Sequence, residues 1–252
     1  MCRRALPPRR AAAPPPLEDS LGHLPVGVRV CDRVSYLVER ATGRSVIHLG
    51  FVDARNMQQK LDSSAWIHAQ LADAATRIVG IDADAPGVAA AQGLGYDARV
   101  VDCQDIEGVK VANLEPAELV VAAEIIEHLD RPGDFLDAVR PLIAPEGKLI
   151  ITTPNPTSLT NVLLGLVHRE VQNADHVAWH SWRTLQALLE RHRYAMVDLA
   201  YYRHPRFVAS GEEPLSMRVR CSVFNLYQAA IWPLFALSPS LADGVIVVAR
   251  PR

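Results

Sequence analysis

Between residues 45 and 153 the chain alternates five short, largely β-branched apolar runs with stretches that repeat apolar side chains at helical spacing, and few folds accept that pattern. The runs are Ser45–Leu49, Arg77–Asp82, 98–101, 119–123 and 148–153. Between them, Ser63 or Ser64 can cap a helix that places Trp66, Ile67, Leu71 and Ala74 on one face. Pro86 suits the first turn of the next helix. Phe135, Leu136, Val139 and Leu142 mark another, stopped by Pro145 and Gly147. Uninterrupted apolar strands joined by amphipathic helices predict a parallel sheet covered on both faces, an α/β doubly wound fold. Upstream the folded part is expected to begin near Val28, and Val30, Val34, Leu37, Val38 and Ala41 recur at helical spacing before a stop at Gly43. Downstream, Ser181 caps a helix with Leu185, Leu188 and Leu189; strands follow at 196–202 and 245–249, which makes seven in all. Residues 204–240 read equally well as helix or irregular chain, and no internal repeat is visible.

Several function classes are excluded by composition. At 252 residues and 49% apolar content there is enough chain to bury a sizeable core. Lys and Arg number 26 against 28 Asp and Glu, so no overall basic charge points to nucleic acid. The longest apolar stretch, 224–237, is interrupted by Asn225, Gln228 and Pro233 and is shorter than the roughly 20 residues of a membrane span. Cys2, Cys31, Cys103 and Cys221 are too scattered for a zinc knuckle or a redox pair, and a reducing cytoplasm is the expected location. Residues 1–20 carry five prolines and four arginines without a continuous apolar core; they predict a disordered arm rather than a signal peptide.

In an open α/β sheet, ligands bind beyond the carboxyl ends of the strands, so the residues just past each run matter most. After the first run come Gly50, Phe51, Val52, Asp53, Ala54 and Arg55. A dinucleotide site would want three glycines here to embrace a pyrophosphate, and only the first is present. Asp53 would also repel phosphate. The loop suits a phosphate-free cofactor bearing an ammonium and a sulfonium, or else it is a turn glycine with a solvated aspartate. Asp82 ends the second run and can accept from both hydroxyls of a ribose, or cap the next helix. Asp102, followed by Cys103, ends the third. Its carboxylate can take an adenine amino hydrogen while the neighbouring amide meets a ring nitrogen, or it is simply solvated.

The fourth run leads into Glu124-Ile125-Ile126-Glu127-His128. If this opens a helical turn, Glu124, Glu127 and His128 share a face at the sheet's crevice and could bind a divalent cation or act as general base. Alternatively they are a helix start whose acids favour its dipole. His176 could complete such a site, though an isolated histidine is more often structural. Asn155, between Pro154 and Pro156, stands where it could meet substrate.

The segments VIHLGFVD (ending at Asp53), IVGIDAD (78–84), VVDCQDI (100–106), VVAAEIIEHLDRPGDFL (120–136), APEGKLIITTPNP (144–156) and DHVAWHSWRTLQALLERH (175–192) together resemble class I S-adenosylmethionine-dependent methyltransferases. The similarity extends to the group that includes ubiquinone-biosynthesis O-methyltransferases. It implies a Rossmann-like, mostly parallel seven-stranded sheet with an antiparallel last strand over 21–252. It implies S-adenosylmethionine as cofactor, with Gly50, Phe51 and Asp53 in its loop, Asp82 on the ribose, Asp102 and Cys103 at the adenine and Glu124 near the methionine moiety. The chain departs from the family where His48 replaces an acid and Val52 a second glycine. Glu124, Glu127, His128 and His176 also match the pattern of magnesium-dependent small-RNA 2′-O-methyltransferases, which implies magnesium at those four residues. No added RNA-binding domain accompanies it, so the RNA substrate is not carried over.

The resulting expectation is in-line methyl transfer to an oxygen, nitrogen or carbon of a small-molecule acceptor. His128 or His176 serves as base, and Glu127 and Glu124 orient it or hold metal. The acceptor pocket is expected to draw on 157–182 and 204–240 as insertions or a lid. Two other readings stay open. One is a nicotinamide-dependent oxidoreductase, which the missing loop glycines disfavour. The other is a catalytically silent protein attached to a membrane through Phe224, Leu226, Ile231, Trp232, Leu234 and Phe235, a cluster that core packing also explains. Oligomeric state leaves no mark on the sequence.

Overall fold

Side chains alternate along the strands between two separate apolar clusters, as a sheet covered on both faces requires. In the computed structural model, which describes residues 23–25, 27–52, 65–204 and 214–252, Ile47 and Leu49 of β2 (Ser45–Leu49) join Val79 and Ile81 of β3 (Arg77–Asp82), Val120 and Ala122 of β5 (Ala117–Ala123) and Leu149 and Ile151 of β6 (Ile143–Pro154) on one face. Their neighbours Val46, Leu119, Val121 and Ile150 belong to the other. The first face is covered by Phe135 and Leu136 of α5 (Pro132–Val139), by Leu185 and Leu189 of α7 (Trp182–Arg191), and by Val109 of α4 (Ile106–Val111). The second is covered by Tyr36, Leu37 and Ala41 of α1 (Arg33–Ala41) and Leu71 of α2 (Ile67–Ala74).

The sheet has eight strands in the order β1-β7-β8-β6-β5-β2-β3-β4. β4 is Ala98–Val100, β7 is Tyr194–Arg203 and β8 is Gly244–Pro251. β8 lies antiparallel to both β6 and β7, and every other pairing is parallel. The eighth strand corrects the expected seven. The helical spacing begins at Val30, but Val30–Asp32 forms edge strand β1, pairing Val30 with Tyr201. The helix begins only at Arg33 because the Asp32 carboxylate caps it, accepting from the Ser35 N–H at 2.8 Å. Apolar spacing alone could not separate a short strand from the helix it feeds.

Other expectations lie close to the elements. Ser181 caps α7 through the Thr184 N–H, and Gly43 follows α1 with φ +70°. The stretch that read ambiguously contains α8 (Leu215–Leu237), a 23-residue helix with Pro233 inside it. No described helix is long and apolar enough to cross a membrane. The N-terminal arm and the Ser63 or Ser64 cap lie outside the described residues, and of the described cysteines Cys31, Cys103 and Cys221 are unbridged.

One glycine is sterically required where β7 meets β8. Gly244 pairs with Tyr202, and a Cβ at 244 would stand 1.9 Å from the Tyr202 Cζ. Gly244→Ala is therefore expected to destabilise the fold by about 1–3 kcal/mol, the usual range for overpacking. A chemical-denaturation midpoint unchanged from the parent would contradict this packing.

Candidate active site

The strand order places β2 between β3 and β5, so consecutive crossovers leave β2 in opposite directions. Such a reversal opens a crevice at the carboxyl ends, and it lies here between the loops after β2 and β5. Gly50 turns the first loop with φ +59°, where a Cβ would meet Ile125 of the second loop at 2.6 Å. A side chain at 50 would thus be strained in backbone and blocked in space.

Asp82 knits the next tip to this loop. Its carboxylate accepts the Val52 N–H at 2.9 Å and the Asp84 N–H at 3.0 Å. Burial raises its pKa, and those backbone N–H groups work against the rise. Asp102 is exposed and accepts from the Gln104 N–H at 2.8 Å, whereas Cys103 is buried. The Cys103 thiol is pushed up to about 12 by burial and by the charges of Asp102 and Asp82, so all three share one neighbourhood. Gly50, Asp82 and Asp102 stand on adjacent strand tips: Gly50 N–H donates to the Ile81 carbonyl and Val101 N–H to that of Asp82. Phe51 belongs elsewhere. Its buried ring packs over Gly80 and against Trp66 and His68, which leaves only its backbone to face a cofactor. Asp53 lies outside the described residues.

Across the crevice the expected single helical face does not form. Glu124 has φ +57°, and only Ile126–His128 make a short 3₁₀ turn. Glu124 turns instead toward Arg33 of α1, with an ion pair at 3.2 Å. Its Oε1 also accepts from the Tyr202 hydroxyl at 2.6 Å and the Thr152 hydroxyl at 3.3 Å. Burial works against the Arg33 charge, yet Glu124, with Tyr202 and Glu127, together more than offset this and hold the guanidinium above its ordinary pKa. Arg33 also stacks 5.2 Å from the centre of the Tyr202 ring.

Glu127 faces the other way and is almost fully buried. Its Oε2 accepts from the Thr153 hydroxyl at 3.0 Å, and Oε1 has no hydrogen-bond partner among the described residues. Burial, then the charge of Glu124, pushes its pKa up to about 8, so it holds its proton at neutral pH. The backbone carbonyl of Glu127 accepts from Val177 and Ala178, pinning the distant His176 segment beside it. His128 and His176 meet edge to face with ring centres 4.6 Å apart. His128 Nδ1 lies 3.1 Å from the Asp175 carbonyl, so Nδ1 carries the proton and Nε2 keeps its lone pair. Burial and the neighbouring His128 lower the His176 pKa.

Glu127, His128 and His176 offer ligand atoms within 4.8 Å of one another, and Glu124 is not in the group. The expected four-residue magnesium set is therefore not assembled, because Arg33, Tyr202 and Thr152 hold Glu124 away. What remains is two imidazoles and one carboxyl. That donor set fits magnesium poorly, since magnesium prefers several oxygen ligands. Asn155 also leaves the list of substrate contacts. It is buried, its amide donates to the Ser240 and Ala242 carbonyls at 2.7 Å, and its side-chain oxygen accepts from Thr157.

Sequence reasoning missed Arg33, Tyr202, Thr152 and Thr153. Arg33 looked like any charge on an amphipathic helix, and Tyr202 like any strand residue. Beneath the Gly50 loop it also missed a buried pair, His48 and His68, with Nδ1 atoms 3.2 Å apart and rings stacked. A hollow of about 490 Å³ lies at the opposite edge, against Arg44, Glu118 and Lys148. Arg44 precedes β2, Glu118 opens β5 and Lys148 pairs beside it in β6, away from the carboxyl ends where such sheets bind ligands.

A family model described as a methyltransferase domain matches residues 32–199. Among solved structures the fold is similar to a candidate methyltransferase of Bacillus halodurans, at 12% identity, with 87% of this chain and 99% of that one covered and a TM-score of 0.52. It is also similar to the magnesium protoporphyrin IX methyltransferase of Synechocystis with bound S-adenosylhomocysteine, at 12% identity over 87% of this chain and 80% of that one, TM-score 0.51. At such identities the likeness carries the fold alone. No curated protein matches the chain.

The histidine pair makes stability depend on pH. Burial holds the His68 pKa near about 4 and that of His48 well below its ordinary 6.5. The unfolded chain takes up protons as pH falls through about 6.5, while the folded chain does not until far lower. Stability contributed by the neutral pair is thus complete above pH 6.5 and lost on acidification toward about 4. Urea unfolding across that range should show a falling midpoint, with a shallower fall in His68→Gln.

Proposed function

The chain belongs to the methyltransferase-domain family, and we propose that it moves a methyl group from S-adenosylmethionine to an oxygen, nitrogen or carbon of a small-molecule acceptor. The observation that carries this reading is the convergence of two arrays at the β2–β5 crevice. The Gly50, Asp82 and Asp102 tips lie on one side, and Glu124, Glu127, His128 and His176 on the other. When bound, S-adenosylmethionine supplies a methyl carbon made electrophilic by its sulfonium.

Asp82 is suited to the ribose hydroxyls, since a carboxylate oxygen that accepts one N–H keeps a second lone-pair direction. The Asp102 carboxylate and the Cys103 backbone amide suit the adenine edge, and Glu124 the cationic methionine end. Phe51 contributes backbone only. The loop offers no glycine-rich embrace for a pyrophosphate, which disfavours the nicotinamide reading. His128 is the base: its Nδ1 is committed to the Asp175 carbonyl, and Nε2 is left to take the acceptor's proton. Lowering of the His176 pKa keeps the partner ring neutral, so it does not oppose that proton uptake with a charge of its own. Glu127, holding its proton, can donate from its carboxyl toward the acceptor without repelling an anion. The two imidazoles and one carboxyl gathered there do not suit magnesium, and none of these roles requires it.

Calorimetry with S-adenosylhomocysteine tests the cofactor assignment, and neither heat nor thermal stabilisation on addition would overturn it. Asp82→Ala should weaken that binding by roughly tenfold or more, the scale of a lost charged hydrogen bond. His128→Asn should leave the binding intact while lowering kcat by about 100-fold or more. Chelation with EDTA, followed by magnesium, should leave turnover unchanged.

A further inference from the structure

Most of the large apolar side chains exposed among the described residues fall on two elements and the turn between them and the core. These are α6 (Leu159–Leu166), the residues just after it, and α8. No residue of α6 is buried, and α8 buries only Gln228, Ile231 and Phe235, all in its second half. Residues 215–220 are exposed on every side of the helix. Leu163, Leu166, Leu215, Val223, Leu226 and Leu237 face outward, Leu166 at 74% and Leu226 at 72% exposure. The Thr160 and Tyr227 hydroxyls, 3.1 Å apart, bring the two helices together at that point. A helix that is apolar around its circumference is ordinarily covered.

Charge indicates what covers it. α6 and α8 contain Arg218 and Arg220 and no acidic residue. Neither arginine pairs with a described acid. Arg203 caps the half-exposed Trp232 ring at 4.7 Å, an arginine-on-indole arrangement suited to the polar boundary of a membrane. From 203 to 237 there are four arginines against Glu212 and Glu213, in a chain whose overall charge is −2. A second copy docked through these helices would set one arginine-bearing surface without acids against another. Residues 1–22 carry Arg3, Arg4, Arg9 and Arg10 against Glu18 and Asp19, so the chain's own arm has the wrong sign too. An exposed apolar surface carrying two arginines without an acidic partner among the described residues, on a helix not long and apolar enough to span, matches an anionic lipid surface.

We propose that the α6–α8 face seats the protein on an anionic bilayer, with the apolar side chains entering the headgroup boundary and Arg218 and Arg220 meeting lipid phosphates. α6 follows β6 and α8 follows β7 at the carboxyl edge of the sheet, so the seated protein presents that edge to the membrane. The inference stands independently of the methyl-transfer reading.

Co-sedimentation of the full chain with phosphatidylcholine vesicles, and with vesicles that also contain phosphatidylglycerol, tests it. Binding is expected only to the anionic vesicles and should weaken as salt rises. The Arg218→Ala/Arg220→Ala double variant should lower partitioning about thirtyfold, at roughly fivefold per arginine. Leu215→Asp/Leu226→Asp should abolish it with the parent's melting temperature retained, because both residues are solvated. Absence of binding to anionic vesicles, or equal binding to both kinds, overturns the proposal. So does a dimer in sedimentation velocity that Leu226→Asp disperses, since the face would then belong to a second copy.

Discussion

The position of β2 between β3 and β5 governs everything at the candidate site. A chain that winds outward through β3 and β4 and then returns to lay β5 on the other flank of β2 leaves two loops diverging from one strand. Here those loops stay in contact: Gly50 approaches Ile125 too closely for any side chain at 50, and both Gly50 and Glu124 adopt left-handed backbone. For a glutamate that conformation costs on the order of 1–3 kcal/mol. The ion pair to Arg33 and the hydrogen bonds from Tyr202 and Thr152 offset it.

That anchoring separates two carboxyls only three residues apart into different chemical states. Glu124 faces a guanidinium and two hydroxyl donors. Glu127 is buried beside Glu124, with one hydroxyl donor and a raised pKa. Environment thus ties one into an ion pair and raises the pKa of the other. The nearby histidines are sorted by the same logic, through one backbone carbonyl for His128 and through burial for His176.

Much of the sheet was legible because a buried parallel strand has a plain pattern. β2, β3, β5 and the second half of β6 are short, largely apolar runs, and the first half of β6, with Pro145, Glu146 and Gly147, is not. β1 was not legible: three residues pairing at an edge leave no periodicity, and their valine also fits the helical register of α1. Gly50, Asp82 and Asp102 stand on adjacent strand tips, a placement that the alternation of runs makes legible. The partners of Glu124 were not legible, because Arg33 and Tyr202 reach it from α1 and β7, far away in sequence. The backbone twist at Glu124 broke the helical face that spacing implied, and with it the four-ligand expectation. Phe51 was assigned to the cofactor from its position in the chain, although its ring had a better use against Gly80.

The order in which strands are made differs from the order in which they pair. β7 reaches the rest of the sheet only through β8, which slots between it and β6, and β1 reaches it only through β7. While the chain emerges from the ribosome, β2 to β6 can assemble as a five-stranded unit. β1 and β7 must wait until Gly244–Pro251 has been synthesised and threaded in antiparallel. Tyr202 rides on β7, so a nascent chain arrested before residue 244 cannot bring its hydroxyl to Glu124 by this ladder. Translation thus supplies the Gly50 and Asp82 half of the crevice early and locks the acidic half only after β8 has left the exit tunnel.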